Sequence, residues 1–142
     1  MGRIIAIDYG RKRVGIATTD PSRIIATGVT TVAARETIAY LKAYAARETV
    51  DRFVVGHPKQ MNNTDSQSMI YITPFLAALR RAFPGIPVEL YDERFTSVLA
   101  HKALLEGGAK KKKRQDKAII DSISATIILQ SYLERIRNTT IQ

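Results

Sequence analysis

Two apolar runs parted by a basic turn open the chain, and helical and strand-like stretches alternate after them. This order limits the fold more than any single residue does. Arg3 to Asp8 reads as a buried strand. Arg13 to Thr18 reads as its hairpin partner, turned through Gly10-Arg11-Lys12. Ile24 to Val32 is a third strand, rich in β-branched residues. From Thr31 to Glu48 the pattern turns helical, with Ile38, Leu41 and Ala45 on one face. Asp51 to Gly56 is a fourth strand, stopped by Gly56-His57-Pro58. Asp65 or Ser66 caps a helix that ends near Phe83, and Val88 to Tyr91 forms a fifth strand beyond the Pro84-Gly85 and Pro87 breaks. Thr96 or Ser97 caps a short helix through Leu105, and a long last helix spans Gln115 to Arg137.

The order β-β-β-α-β-α-β-α-α predicts an α/β fold. Its first three strands pair antiparallel. The helix-linked fourth and fifth strands run parallel to the first, because right-handed crossovers pack their helices onto the sheet. The expectation is one mixed five-stranded sheet flanked by helices, in a single domain over residues 1–142.

Three acids sit where ordinary packing does not explain them. Asp8 ends the run Ile4-Ile5-Ala6-Ile7, Glu93 follows Val88-Glu89-Leu90-Tyr91-Asp92, and Asp121 lies inside Ala118-Ile119-Ile120-Asp121-Ser122-Ile123. Carboxylates enter apolar surroundings only when paired or bound to a metal. If the strands ending at Asp8, Gly56 and Glu93 are parallel, their carboxyl ends share one edge, where α/β sheets place their sites. On the last helix Asp121, Ala125, Ile128 and Tyr132 share a face, so the helix has only to cross that edge to deliver Asp121. Each acid also has a plainer role. Asp8 suits a turn, Glu93 can pair with Arg94, and Asp121 suits the start of a helix. Alternation alone does not choose between Glu93 and Asp92.

The background is basic. Lys and Arg number 22 against 13 Asp and Glu, a formal net charge of +9. Such a domain partners with nucleic acid or an anionic surface. No run approaches a membrane span and no signal peptide is evident, so a cytoplasmic location is expected. The chain has no cysteine, which excludes disulfides and thiolate chemistry, and its 2 histidines are far apart. A metal would therefore be held by oxygen, which favours Mg²⁺ or Mn²⁺. Acids holding such ions in a basic protein point to cleavage of a polyanion, and two ions about 4 Å apart suit phosphodiester hydrolysis. Arg11, Lys12 and Arg13 in the hairpin, the run Lys110-Lys111-Lys112-Lys113-Arg114, and Lys117 one turn before Asp121 are the candidate phosphate contacts. His57 stays outside the catalytic set as a structural residue.

Taken in order, Ile7-Asp8-Tyr9-Gly10, Val14-Gly15-Ile16-Ala17, Val55-Gly56-His57-Pro58, Asp92-Glu93-Arg94-Phe95-Thr96-Ser97 and Asp121-Ser122-Ile123-Ser124-Ala125 resemble the YqgF family, also called RuvX-like. The likeness covers nearly the whole chain, and the block from Asp92 to Ser97 is its most specific part. It departs from the family at His57, Asn63 and Ser124, none of them one of the three acids. The resemblance implies an RNase H-like fold and a divalent-metal nuclease site at Asp8, Glu93 and Asp121. It implies processing of the 5′ end of precursor 16S ribosomal RNA, with Holliday-junction resolution in branched DNA as the alternative. Symmetric junction cutting would call for a homodimer, whereas trimming an RNA end suits a monomer. Two further readings are a non-catalytic nucleic-acid-binding module and a phosphotransferase of the actin-like type. The second needs two such domains.

Overall fold

The computed structural model describes residues 2–20, 26–57, 69–92 and 117–141. Five strands form one mixed sheet: β1 (Arg3–Tyr9), β2 (Arg13–Thr19), β3 (Ala26–Ala33), β4 (Val50–His57) and β5 (Val88–Asp92). Their spatial order is β3-β2-β1-β4-β5, which puts β1 at the centre. β2 lies antiparallel to β1 and to β3, whereas β4 lies parallel to β1 and to β5. Three described α-helices accompany them: α1 (Thr37–Arg47), α2 (Met69–Ala82) and α3 (Lys117–Ile141). No described helix is both long and apolar enough to cross a membrane. The short helix expected from Thr96 or Ser97 to Leu105 lies outside the described residues.

Alternation along the strands gives the sheet two apolar faces. Ile5, Ile7, Val14, Ile16, Phe53 and Val55 turn to one side, where Leu41 and Tyr44 of α1 and Ile72, Phe75, Leu76 and Leu79 of α2 cover them. Ile4, Ala6, Ala17 and Val54 turn to the other, where α3 covers them with Ala125, Ile128, Leu129, Tyr132 and Leu133. A sheet with helices on both faces buries near-continuous apolar runs, which is why β1 reads Ile-Ile-Ala-Ile without a polar break.

One expected boundary is corrected. The helix expected from Thr31 begins later, because β3 continues through Ala33. Thr31 pairs with Gly15, Val32 with Val14 and Ala33 with Arg13. The ladder overrides the helical spacing, and Thr31 and Val32 are β-branched. A 3-10 turn (Ala34–Glu36) then leads into α1. There Thr37 Oγ1 donates to the Ala33 carbonyl oxygen at 3.2 Å and fixes the entry angle.

Candidate active site

Asp8 stands at the carboxyl end of the central strand, partly buried. It shares its face with Ile4 and Ala6, so its carboxylate is on the α3 side. Its direct partner across β2 is Gly15. On the other flank Ile7 pairs with Val55, and one further step of that register brings Gly56 alongside. Glycine on both sides means that neither neighbouring strand contributes a side chain beside the carboxylate. A pocket for ions or a phosphate group needs such room.

The parallel strands β1, β4 and β5 bring their carboxyl ends to one edge, level at Asp8, Gly56 and Tyr91. α3 supplies the roof. Its buried positions 124, 125, 128, 129, 132 and 133 form a continuous stripe, and residue 121 lies one turn upstream of Ala125 on that stripe. Position 121 is thus within α3 as expected, although its side chain is not among those described. Glu93 lies just beyond the last described residue of β5, outside the described residues. Among described residues no group of three acids and histidines clusters, and the three candidate acids contribute only Asp8 to that set.

The proposed cations divide in the same way. Arg11 and Lys12 are exposed in the β1–β2 turn, and Arg13 opens β2, half-buried. The turn is held by the Gly10 N–H, which donates to the Arg13 carbonyl at 3.0 Å. The Ala34 N–H donates to the Lys12 carbonyl at 2.9 Å and ties the turn to the end of β3. Lys117 is the first residue of α3, while Lys110 to Arg114 lie outside the described residues. His57 ends β4.

Beside the strand end, Tyr9 turns to the opposite face and stacks on Phe75, ring centroids 4.3 Å apart. Burial there raises the Tyr9 hydroxyl above its ordinary pKa. Two residues further on, the Arg11 guanidinium lies over the Tyr71 ring, 5.7 Å from its centroid. Sequence reading missed Tyr71. Its signal was the i, i+4 spacing to Phe75 on α2.

A second polar cluster lies past the middle of α3, at Tyr132. Arg52 Nη1 is 3.2 Å from Glu89 Oε1 and donates a short hydrogen bond to the Tyr132 hydroxyl. The Tyr132 hydroxyl is pushed up by burial, against the lowering pull of Arg52. This cluster fastens α3 to β4 and β5 near their amino ends, away from Asp8.

A family model described as "RuvX: Holliday junction resolvase" matches residues 2–135. The chain belongs to the RuvX family. The family description and the names of its members make this a family of nucleases. A relative from Parabacteroides distasonis named "Putative pre-16S rRNA nuclease" is 65% identical over 134 residues, covering 94% of this chain and 96% of its own. A relative of the same name from Phocaeicola vulgatus is 60% identical over the same span. Among solved structures, RuvC from T. thermophilus in complex with a Holliday junction substrate superposes with a TM-score of 0.56 at 16% identity. It covers 96% of each chain. That likeness places this RuvX protein in the RNase H-like fold, as its motifs implied.

Proposed function

We propose that this protein is a divalent-metal-dependent nuclease that processes the 5′ end of precursor 16S ribosomal RNA in the cytoplasm. The observation that carries the reading is the setting of Asp8. It is an acid at the carboxyl end of the central strand, flanked in the sheet by Gly15 and on the sheet face that α3 packs against at Ile4 and Ala6. The substrate follows from the curated relatives, which share more than half of their residues with this chain and carry that name.

Asp8, Glu93 and Asp121 are the residues that would hold the ions. A donor set made only of carboxylate oxygens suits Mg²⁺ or Mn²⁺. The glycine on either side of Asp8 leaves the space that ion and phosphate require. The α3-facing positions of β5 are the odd ones, Glu89 and Tyr91, which favours Glu93 over Asp92 as the second acid. Ions held by these carboxylates would supply an activated water and charge neutralisation at the phosphate. The chain's own part is to fix Asp8 on the central strand of the sheet, after the buried run Ile4 to Ile7, and to bring Arg11, Lys12 and Arg13 against the phosphate backbone. Lys110 to Arg114 and Lys117 are assigned to the same phosphate contact.

The deciding experiment is a matched cleavage assay on precursor ribosomal RNA and a four-way DNA junction, with Mg²⁺, Mn²⁺ or EDTA. The wild type should cut the RNA only with metal, and Asp8→Asn should lose cutting while keeping its melting temperature and RNA affinity. Full activity in Asp8→Asn would refute the site. Paired symmetric cuts in the junction, with the RNA left intact, would replace RNA processing by junction resolution and call for a homodimer.

A further inference from the structure

The basic turn after Asp8 does more than present charge. Arg11 lies over the Tyr71 ring, and Tyr71 stays 38% exposed beside Ile70 at 71%. Exposed apolar and aromatic residues side by side on α2 have no packing role in the sheet core. The same Arg11, with Lys12, Ala33, Ala34 and Arg35, lines a hollow of about 270 Å³ on the adjoining surface. Two walls of this hollow are locked together by the Ala34 N–H to Lys12 carbonyl bond. Tyr71 is held at the same strand end, because Phe75, one turn along α2, stacks on Tyr9.

We propose that Tyr71 and this hollow form a nucleotide subsite that accepts one unpaired base of a single-stranded substrate. The base stacks on the Tyr71 ring, extending the Arg11–Tyr71 stack, and its phosphate enters the hollow between Arg11, Lys12 and Arg35. Two features select this occupant. Three cations around a hollow match a phosphate, and an exposed ring capped by a guanidinium matches the π-face of any base. A duplex offers the phosphates but hides the bases in the stack, so the subsite distinguishes single strands from duplexes without reading sequence. The inference rests on the nucleic-acid reading above, and it assigns the single-strand preference to Tyr71 and the added phosphate contact to Arg35.

Binding tests it apart from cleavage. Single-stranded RNA of about ten nucleotides, carrying one 2-aminopurine, is titrated in EDTA beside a hairpin duplex of similar length. Tyr71→Leu keeps an apolar side chain on α2 but removes the ring, and should weaken single-strand binding about tenfold with loss of 2-aminopurine quenching. Duplex affinity should change less than about twofold, and Tyr71→Phe should restore both signals. Arg35→Ala should lower the salt dependence of binding by about one unit of slope without abolishing quenching. Unchanged single-strand binding in Tyr71→Leu, or an equal loss for single strand and duplex, overturns the subsite and leaves the nuclease reading standing. If the wild type binds neither RNA, the nucleic-acid reading itself falls.

Discussion

Gly10 is the residue on which the geometry of the basic turn depends most directly, and Gly10→Ala tests it. A Cβ built there lies 2.6 Å from the Arg13 carbonyl oxygen. Carbon and carbonyl oxygen rest no closer than about 3.3 Å, so the turn must open by about 0.7 Å. The same carbonyl accepts the Gly10 N–H at 3.0 Å, and an opening of that size stretches the bond beyond useful length. The lost hydrogen bond costs about 1 kcal/mol and the backbone shift about 1–3 kcal/mol more. The expected destabilisation is therefore about 3 kcal/mol, or a fall of roughly 10 °C in Tm for a domain of this size. Urea unfolding followed by circular dichroism should show a lower midpoint with an unchanged m value. RNA affinity should fall as well, because Arg11 and Lys12 ride on the displaced turn. A variant that melts within about one degree of wild type would refute the reasoning, since the clash is with backbone and no side-chain rotation relieves it.

Two other outcomes follow from the α3 face. Leu129 is fully buried against the sheet, so Leu129→Ala should destabilise by about 2–5 kcal/mol in the same urea assay. Tyr132→Phe removes the hydroxyl that accepts from Arg52 and should cost about 1 kcal/mol. Because burial raises the Tyr132 pKa above its ordinary 10.0, the folded state keeps that proton longer than the unfolded chain does. Its contribution is complete below pH 10.0 and declines as pH rises through the folded value, so wild-type stability should fall more steeply with pH in that range than that of Tyr132→Phe. Melting curves between neutral pH and the tyrosine range, with tyrosinate absorbance alongside, measure both.

Much of this architecture is legible in local pattern. The run Ile4 to Ile7 has strand length and β-branched content, and its parallel neighbour Phe53-Val54-Val55 reads the same way, so both strands are found where expected. The helical stripe through Ala125, Ile128 and Tyr132 is found buried, with Leu129 and Leu133 widening it. What local pattern does not carry is which strand lies beside which. β4 adds to the free side of β1 rather than to β3, a choice made by crossover handedness and by the cover that α1 and α2 provide. Nor does spacing reveal that Arg11 meets Tyr71, or Arg52 meets Tyr132, because those partners come from distant segments brought together only by packing. The overlap at Thr31 and Val32, where strand and helix meet in the sequence pattern, is likewise resolved only by their pairing with Gly15 and Val14, which keeps both in the strand.

The division of the sheet into two separately covered faces has a consequence for biosynthesis. Among the described elements, Ile4, Ala6, Ala17 and Val54 are covered by α3 alone, the last of those elements to be translated. A nascent chain that has completed all five strands still presents this patch bare, an adhesive surface that invites aggregation or chaperone capture. Closing it requires contact between segments at opposite ends of the sequence, the kind of long-range event that slows folding. Asp8 lies on that uncovered face too, so on the proposed mechanism a chain whose α3 has not docked has no cutting activity. Docking of α3 would then seal the apolar patch and complete the site in one event.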